Sequence, residues 1–188
     1  MSARSRLRAA LLGAALALLA STAAAEAPTR EKDSGHLRAR YELSAGPTYR
    51  SFYDDHVVGA DLALKVGADF THVALYGTAG GMIARTGLGL STCAPQGGVG
   101  AELVTDYFRL GAGVQLSILF VTRDSGASGT LWSPGAGAEV HATFDVLHFD
   151  GHALFFGARG TIDSYGASGR HGRTLVLRGG SAFVGVRF

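Results

Sequence analysis

The sequence has few of the residues that usually indicate a chemical site. Its one cysteine, Cys93, cannot form an internal disulfide, and no cysteine cluster or His-Glu-x-x-His spacing indicates a metal. We expect Cys93 to lie in a loop as an incidental thiol, and we expect no metal and no cofactor. No basic stripe and no patch of interleaved aromatic residues is present, so nothing indicates a nucleic-acid partner.

A hydrophobic run long enough for a transmembrane helix is also missing. The apolar run at residues 9–20 has 12 residues, whereas a membrane-spanning helix needs about 20. Arg4, Arg6 and Arg8 precede this run and three alanines follow it, which is the layout of a secretory signal peptide cleaved before Glu26. We predict a signal peptide at residues 1–25, a flexible segment at 26–35 and the folded domain at 36–188.

Removal of the predicted signal peptide changes the charge of the chain. The 17 basic residues include the three arginines of that segment, so the rest of the chain carries 14 against 15 acidic residues. Its net charge is then −1 rather than +2. The basic isoelectric point of the full sequence therefore says little about the exported protein.

Residues 107–121 (YFRLGAGVQLSILFV) show the pattern that recurs through the chain. Every second side chain from Phe108 to Phe120 is apolar, while the intervening ones are mostly small or polar, such as Arg109 and Gln115. Side chains alternate across a strand, so one face is apolar and the other is not. The run exceeds the five or six residues usual in soluble sheets and fits the roughly 9–11 tilted residues of a membrane-spanning strand.

The same alternation predicts eight strands. They cover residues 37–49, 57–68, 71–83, 97–104, 107–121, 134–146, 151–162 and 174–188. Two apolar sets compete in the third strand, so its facing is left open. An even number of strands is what one chain needs to close an antiparallel barrel in an outer membrane. We therefore predict an all-β fold, an eight-stranded antiparallel up-and-down transmembrane β-barrel.

The predicted connections alternate in length. Gly/Ser-rich loops at 84–96, 123–131 and 163–173 follow the third, fifth and seventh strands, and a polar loop around 54–55 follows the first. Short turns at 69–70, 105–106 and 147–150 follow the others. Outer-membrane barrels have short periplasmic turns and longer outer loops, so we expect both termini in the periplasm.

From residue 37 to the end, the chain resembles the small eight-stranded outer-membrane barrels of the OmpA-transmembrane and OmpX-like group. The most specific element of the resemblance is the terminal SAFVGVRF, with apolar side chains at alternate positions and Phe188 last. The resemblance implies that Val184, Val186 and Phe188 form the signal read by the barrel-assembly machinery during insertion. The same residues could simply face lipid, and both roles are compatible.

The inward faces of the predicted strands carry charges of both signs. We expect these lumen residues to be Arg38, Arg40, Glu42, Asp61, Lys65, Glu102, Arg109, Glu139, His141, Asp145, Arg159 and Arg187. An eight-stranded barrel has room only for side chains, and buried charges need partners. The sequence therefore favours a salt-bridged plug over a narrow ion path.

One inward trio on strand six contains the residue types of a catalytic set, Glu139, His141 and Thr143. Residues two apart on a strand rise by about 6.6 Å, so direct hydrogen bonds between them are not assured. The His-x-Ser spacing of barrel lipid A deacylases is missing, so we expect no catalysis and an interior role for His141. The repeat Gly111-x-Gly113 is expected to prevent clashes in a crowded lumen.

The sequence predicts an exported outer-membrane protein with a structural or surface-interaction role. The expected partners are outer-membrane lipid and the assembly machinery, with lipopolysaccharide phosphate as a candidate at the outward-facing Arg178, which could equally snorkel into water. We expect a monomer. A small channel, a lipid A-modifying enzyme and a soluble lipocalin-like barrel, whose apolar faces would point inward, remain as alternatives.

Overall fold

The computed structural model describes residues 38–52, 55–123, 130–166 and 174–188. These residues form the strands β1 (Arg38–Phe52), β2 (Asp55–Asp69), β3 (Val73–Thr86), β4 (Leu90–Val104), β5 (Phe108–Arg123), β6 (Thr130–Phe149), β7 (His152–Tyr165) and β8 (Leu175–Arg187). Across the described ranges, no helix is long and apolar enough to span a membrane. The predicted signal peptide at 1–25 and the flexible segment at 26–35 lie outside the described residues.

Each strand pairs antiparallel with the next one, and β8 returns to pair with β1. This pairing closes the sheet, so every described strand has a neighbour on both sides. The predicted eight-stranded antiparallel barrel is confirmed. Closure satisfies the backbone hydrogen bonds within the sheet, which is what permits strands to cross lipid.

The two faces of the strands differ as the alternation indicated. On β5, the side chain of Leu116 is 71% exposed, whereas that of the neighbouring Gln115 is 2% exposed. The apolar set therefore covers the outside and the polar set lines the interior. This orientation is opposite to that of a lipocalin-like barrel, whose apolar faces would enclose a ligand.

The facing of β3, which the sequence left open, follows the same rule. Ala74, Tyr76 and Met82 are buried, while Leu75 and Ile83 are exposed. Tyr76 made the facing of β3 hard to predict from the sequence, because it is a large aromatic residue and yet its side chain points inward. Its hydroxyl donates a hydrogen bond to the buried carboxylate of Glu139 (3.0 Å), so its polar end decides its facing.

The loop predicted at 84–96 is wrong. β3 continues to Thr86 and β4 begins at Leu90, which leaves only residues 87–89 to turn the chain. Gly89 adopts a positive φ of 76°, which glycine permits, and its amide donates to the carbonyl of Thr86 (3.1 Å). The proline that suggested a loop, Pro95, lies within β4, and the pairing of β4 with β5 skips this position because proline has no amide to donate.

Cys93, expected in that loop, instead lies on β4 with an exposed side chain. Other strands also extend beyond their predicted ends. β7 continues to Tyr165, so the predicted loop at 163–173 begins three residues later than expected, and residues 167–173 lie outside the described ranges. Residues 124–129 of the predicted loop at 123–131 lie outside them as well, while β6 already begins at Thr130.

The turns at the opposite end are short, as predicted, and occupy residues 70–72, 105–107 and 150–151. The last is shifted from the predicted 147–150 and joins β6 to β7 through Asp150 and Gly151. Both have positive φ, 43° and 82°, as in the two-residue turns that match the twist of a hairpin. The strict alternation of connection lengths is not observed, because the turn at 87–89 is as short as the three turns at this end.

Candidate functional site in the barrel interior

The interior contains a network of ionised side chains, here called the lumen network. Except for Arg38, every predicted lumen residue has a buried side chain. Arg38 is exposed because it begins β1 at the edge of the barrel, where no opposite wall covers it. The arrangement of the other charges follows from the alternation, which sends them inward from seven different strands.

Glu102 on β4 is the centre of the lumen network. Its carboxylate oxygens lie 2.8 Å from Arg40 Nη2, 2.9 Å from Lys65 Nζ and 2.8 Å from His141 Nε2. Arg109 Nη1 is 3.7 Å away. One acid thus neutralises charge from several strands, which lowers the cost of holding these cations away from water.

Two arginines connect pairs of acids on other strands. Arg187 lies with Nε 2.5 Å from Glu42 and Nη1 2.6 Å from Asp145. Arg159 lies 3.2 Å from Asp61 and 3.3 Å from Glu139. Both guanidinium groups also lie over aromatic rings of the interior, Arg187 over Phe155 and Arg159 over Phe183. The aromatic rings fill the space that the ion pairs leave.

The structure separates the trio suggested as a catalytic set. His141 Nδ1 is 3.6 Å from Glu139, but its Nε2 contacts Lys65 (2.7 Å) as well as Glu102. Thr143 instead accepts a hydrogen bond from Arg187 (3.5 Å). The imidazole has both nitrogens facing buried charged groups, an arrangement that suits an interior histidine better than a general base for Thr143.

The glycines opposite these side chains are required by the crowding. A Cβ added at Gly111 would lie 2.5 Å from the ring of His141, and one at Gly113 would lie 2.8 Å from the hydroxyl of Tyr76. The prediction that this repeat prevents clashes in the lumen is confirmed.

The sequence prediction missed three members of the interior. Arg50 Nη1 lies 2.5 Å from Asp163, which also accepts from Gln115 (2.6 Å), and Asp69 lies 2.8 Å from Arg40 and 2.9 Å from Arg109. Arg50 and Asp163 were missed because the predicted strands ended at residues 49 and 162. Both continue the inward parity of their strands, so a longer strand assignment would have found them.

An apolar layer fills the interior toward the loop-side end of the barrel. Its buried members include Val57, Met82, Leu119, Tyr165 and Leu177. Beneath it, the interior space beside Asp61, Arg159 and Phe183 is too small for a water molecule. Paired charges and packed side chains thus fill much of the interior of the described barrel.

The remaining predicted residues lie on the outer surface. Arg178 is exposed on β8, Val184 is 63% exposed, and Val186 and Phe188 are partly buried at the end with the three short turns. Phe188 exchanges backbone hydrogen bonds with Tyr41 (2.8 and 3.3 Å). Within the described residues, no group of three or more His, Cys, Asp or Glu side chains is arranged to hold a metal ion.

Comparison with known proteins agrees with this geometry. Neisserial surface protein A (NspA), known from a crystal structure, matches with a TM-score of 0.56 at 15% identity, over 81% of this chain and 97% of that one. The chain has the fold of the small eight-stranded outer-membrane barrels. A second match is Ail, the attachment invasion locus protein of Yersinia pestis, crystallised with the heparin analogue sucrose octasulfate (TM-score 0.45, 11% identity, 83% and 100% coverage).

No protein-family model matches the sequence, and no curated protein matches it. The outer-membrane barrel fold is therefore recognised from the pairing of the strands and from the direction in which their side chains face. Exposed aromatic side chains support it at both ends. Tyr107, Phe108 and Phe149 lie at the end with the three short turns, and Trp132 lies at the other, as in the aromatic girdles of such barrels.

Proposed function

We propose that the chain is an outer-membrane β-barrel protein with a structural or surface-interaction role, that it is not an enzyme, and that paired charges plug its lumen. The observation that carries the proposal is the division of the strands into an apolar outward face and an inward face, from which seven strands contribute to the lumen network. In water the exposed apolar band would be far larger than soluble proteins tolerate. In a bilayer that band is the required surface.

Export through a cleaved signal peptide and insertion as a monomer complete the proposal. Two features support a plug rather than a channel. The charges contact one another at hydrogen-bonding distances, and the apolar layer covers them toward the loop side. Water-filled lumens are typical of barrels with about 16 strands.

Cell fractionation tests the location and fold together. We expect the expressed protein in the outer-membrane fraction, with a band that shifts in electrophoresis when the detergent sample is boiled. Recovery as a soluble periplasmic protein without such a shift would contradict the proposal.

The absence of a conducting path and of catalysis is tested on the same preparation. The purified barrel in planar bilayers should show no steady conductance, because the plug leaves no continuous water column. Lipid A from expressing cells should keep its mass. A steady conductance would contradict the proposal and indicate a channel. A change in lipid A mass that is lost in the His141→Ala variant would contradict it and indicate a lipid A-modifying enzyme.

A further inference from the structure

Near the loop-side end of the barrel, the outward face carries a group of basic side chains. These are Arg178 on β8, His56 on β2 and Arg85 on β3, and all three are exposed. Arg178 lies about 33 Å along the strand from Phe188, or about 25 Å along the barrel axis after tilt. That height equals the usual apolar band of an outer-membrane barrel.

These basic side chains lie on one side of the barrel. On the other side, the outward faces of β4, β5, β6 and β7 end in uncharged residues, namely Ser91, Thr122, Trp132 and Ser164. A general requirement for snorkelling groups at the membrane boundary would place them all round. The one-sided arrangement points to a localised partner.

The strand register brings these side chains together. Ser51 on β1 lies opposite Arg178 on β8 and opposite His56 on β2, and Val58 lies opposite Arg85 on β3. Neighbouring strands are about 4.8 Å apart, so Arg178 and His56 are about 10 Å apart at their Cα atoms. An arginine side chain can span most of this distance, and the hydroxyl of Ser51 lies between the two.

The ring of Tyr49 positions the imidazole of His56. The two rings are stacked with centroids 6.0 Å apart and planes 20° apart. Asp55 approaches the His56 Nδ1 at 3.9 Å, and it is the acid that the structure records beside this group. The side chain of His56 is still 54% exposed, so its ring remains accessible.

We propose that Arg178, His56 and Arg85 form a binding site for the phosphorylated headgroup of an outer-leaflet lipid. The proposal rests on the proposed outer-membrane location. Arginine guanidinium groups bind phosphate through paired N–H donors, and the imidazole adds a further donor. The hydroxyl of Ser51 donates to the backbone carbonyl of Arg178 (3.3 Å) and so joins β1 to β8 within the site. A lipid fits because its phosphate meets this level while its acyl chains lie along apolar residues below, such as Val58 and Val184.

Native mass spectrometry of the full-length barrel in detergent tests the site. The probes are diphosphorylated lipid A and its dephosphorylated form, compared for the unmodified chain, Arg178→Gln, Arg85→Gln and the double variant. We expect each neutralised arginine to weaken binding of the diphosphorylated form about fivefold. The dephosphorylated form should bind weakly and equally to all. Arg38→Gln, which removes an exposed arginine at the opposite end, is the matched control and should bind as the unmodified chain does.

Three results would overturn the site. These are unchanged lipid A binding by the double variant, an equal loss in Arg38→Gln, and displacement of lipid A by inorganic phosphate at the same concentration. The last would indicate a site for the ion rather than for a lipid. Each variant is first checked for its heat-dependent electrophoretic shift. Recovery of the unmodified chain as a soluble protein would contradict the proposed function. Variants that fold as normal barrels and bind lipid A as the unmodified chain does would contradict the site alone.

Discussion

Glu102 shows how one residue can determine the interior of a barrel. Its side chain is nearly inaccessible and contacts Arg40, Lys65 and His141 at 2.8 to 2.9 Å. Removing one partner from a buried ion pair is costly because the opposite charge remains buried without compensation. Here a single neutralisation would leave several cations facing each other.

We expect Glu102→Gln to lower the free energy of unfolding by about 3–5 kcal/mol. Urea titration of the barrel in lipid vesicles measures this, with the fluorescence of the one tryptophan as the signal. Asp106→Asn removes an exposed acid from the adjacent turn and should change stability by less than about 0.5 kcal/mol. Equal effects of the two substitutions would show that the lumen network does not stabilise the barrel.

At the scale of single elements, β5 displays the alternation most clearly. Its outward residues run from Phe108 to Thr122, and its inward ones include Arg109, Gln115 and Ser117. If the outward face meets lipid, the cost of a charge there must depend on depth. A soluble barrel would show no such dependence.

Leu116→Lys should therefore lower the free energy of unfolding by about 2–4 kcal/mol, and Thr122→Lys by about 0–1 kcal/mol. Leu116 lies near the middle of the outward face, and Thr122 lies at its loop-side end. The same urea titration in vesicles measures both. Similar small costs at the two positions would argue against a lipid-facing surface.

The strand pattern was predictable where bulky and polar residues alternate, as on β5. It failed where side chains are small, because Gly87, Gly89 and Pro95 have the composition of a loop although most of that segment is strand. Whether such a segment forms a strand is decided by its pairing with the neighbouring strands, and this pairing cannot be read from adjacent residues in the sequence. For the same reason most inward charges were predictable, while their pairing across the barrel, such as that of Arg187 with Glu42 and Asp145, was not.

At the scale of the whole molecule, the last strand closes the barrel. β8 pairs with β1 from Glu42–Arg187 to Ser51–Arg178, and Phe188 extends this pairing by its backbone bonds to Tyr41. The terminal residue therefore has two separable features, its backbone and its ring. The proposed insertion signal depends on the ring and on the alternate valines.

Phe188→Ala keeps the backbone bonds and removes the ring. If the ring is read during insertion, this variant should give several-fold less outer-membrane protein in cells, yet refold normally from urea into lipid vesicles. Val58→Ala on the outward face of β2 serves as the control for a lost lipid contact. A normal yield in cells for Phe188→Ala would contradict the role of the ring in insertion.

The ion pairs of the lumen connect strands that are far apart in the chain. Lys65 on β2 binds Glu102 on β4, Arg159 on β7 binds Asp61 on β2, and Arg50 on β1 binds Asp163 on β7. A barrel lengthened or shortened by one hairpin would leave charges without partners. A circular permutant, joined between β8 and β1 and opened at another turn, would keep every pair. The interior thus fixes how many strands the barrel has, but leaves free the strand at which the chain begins.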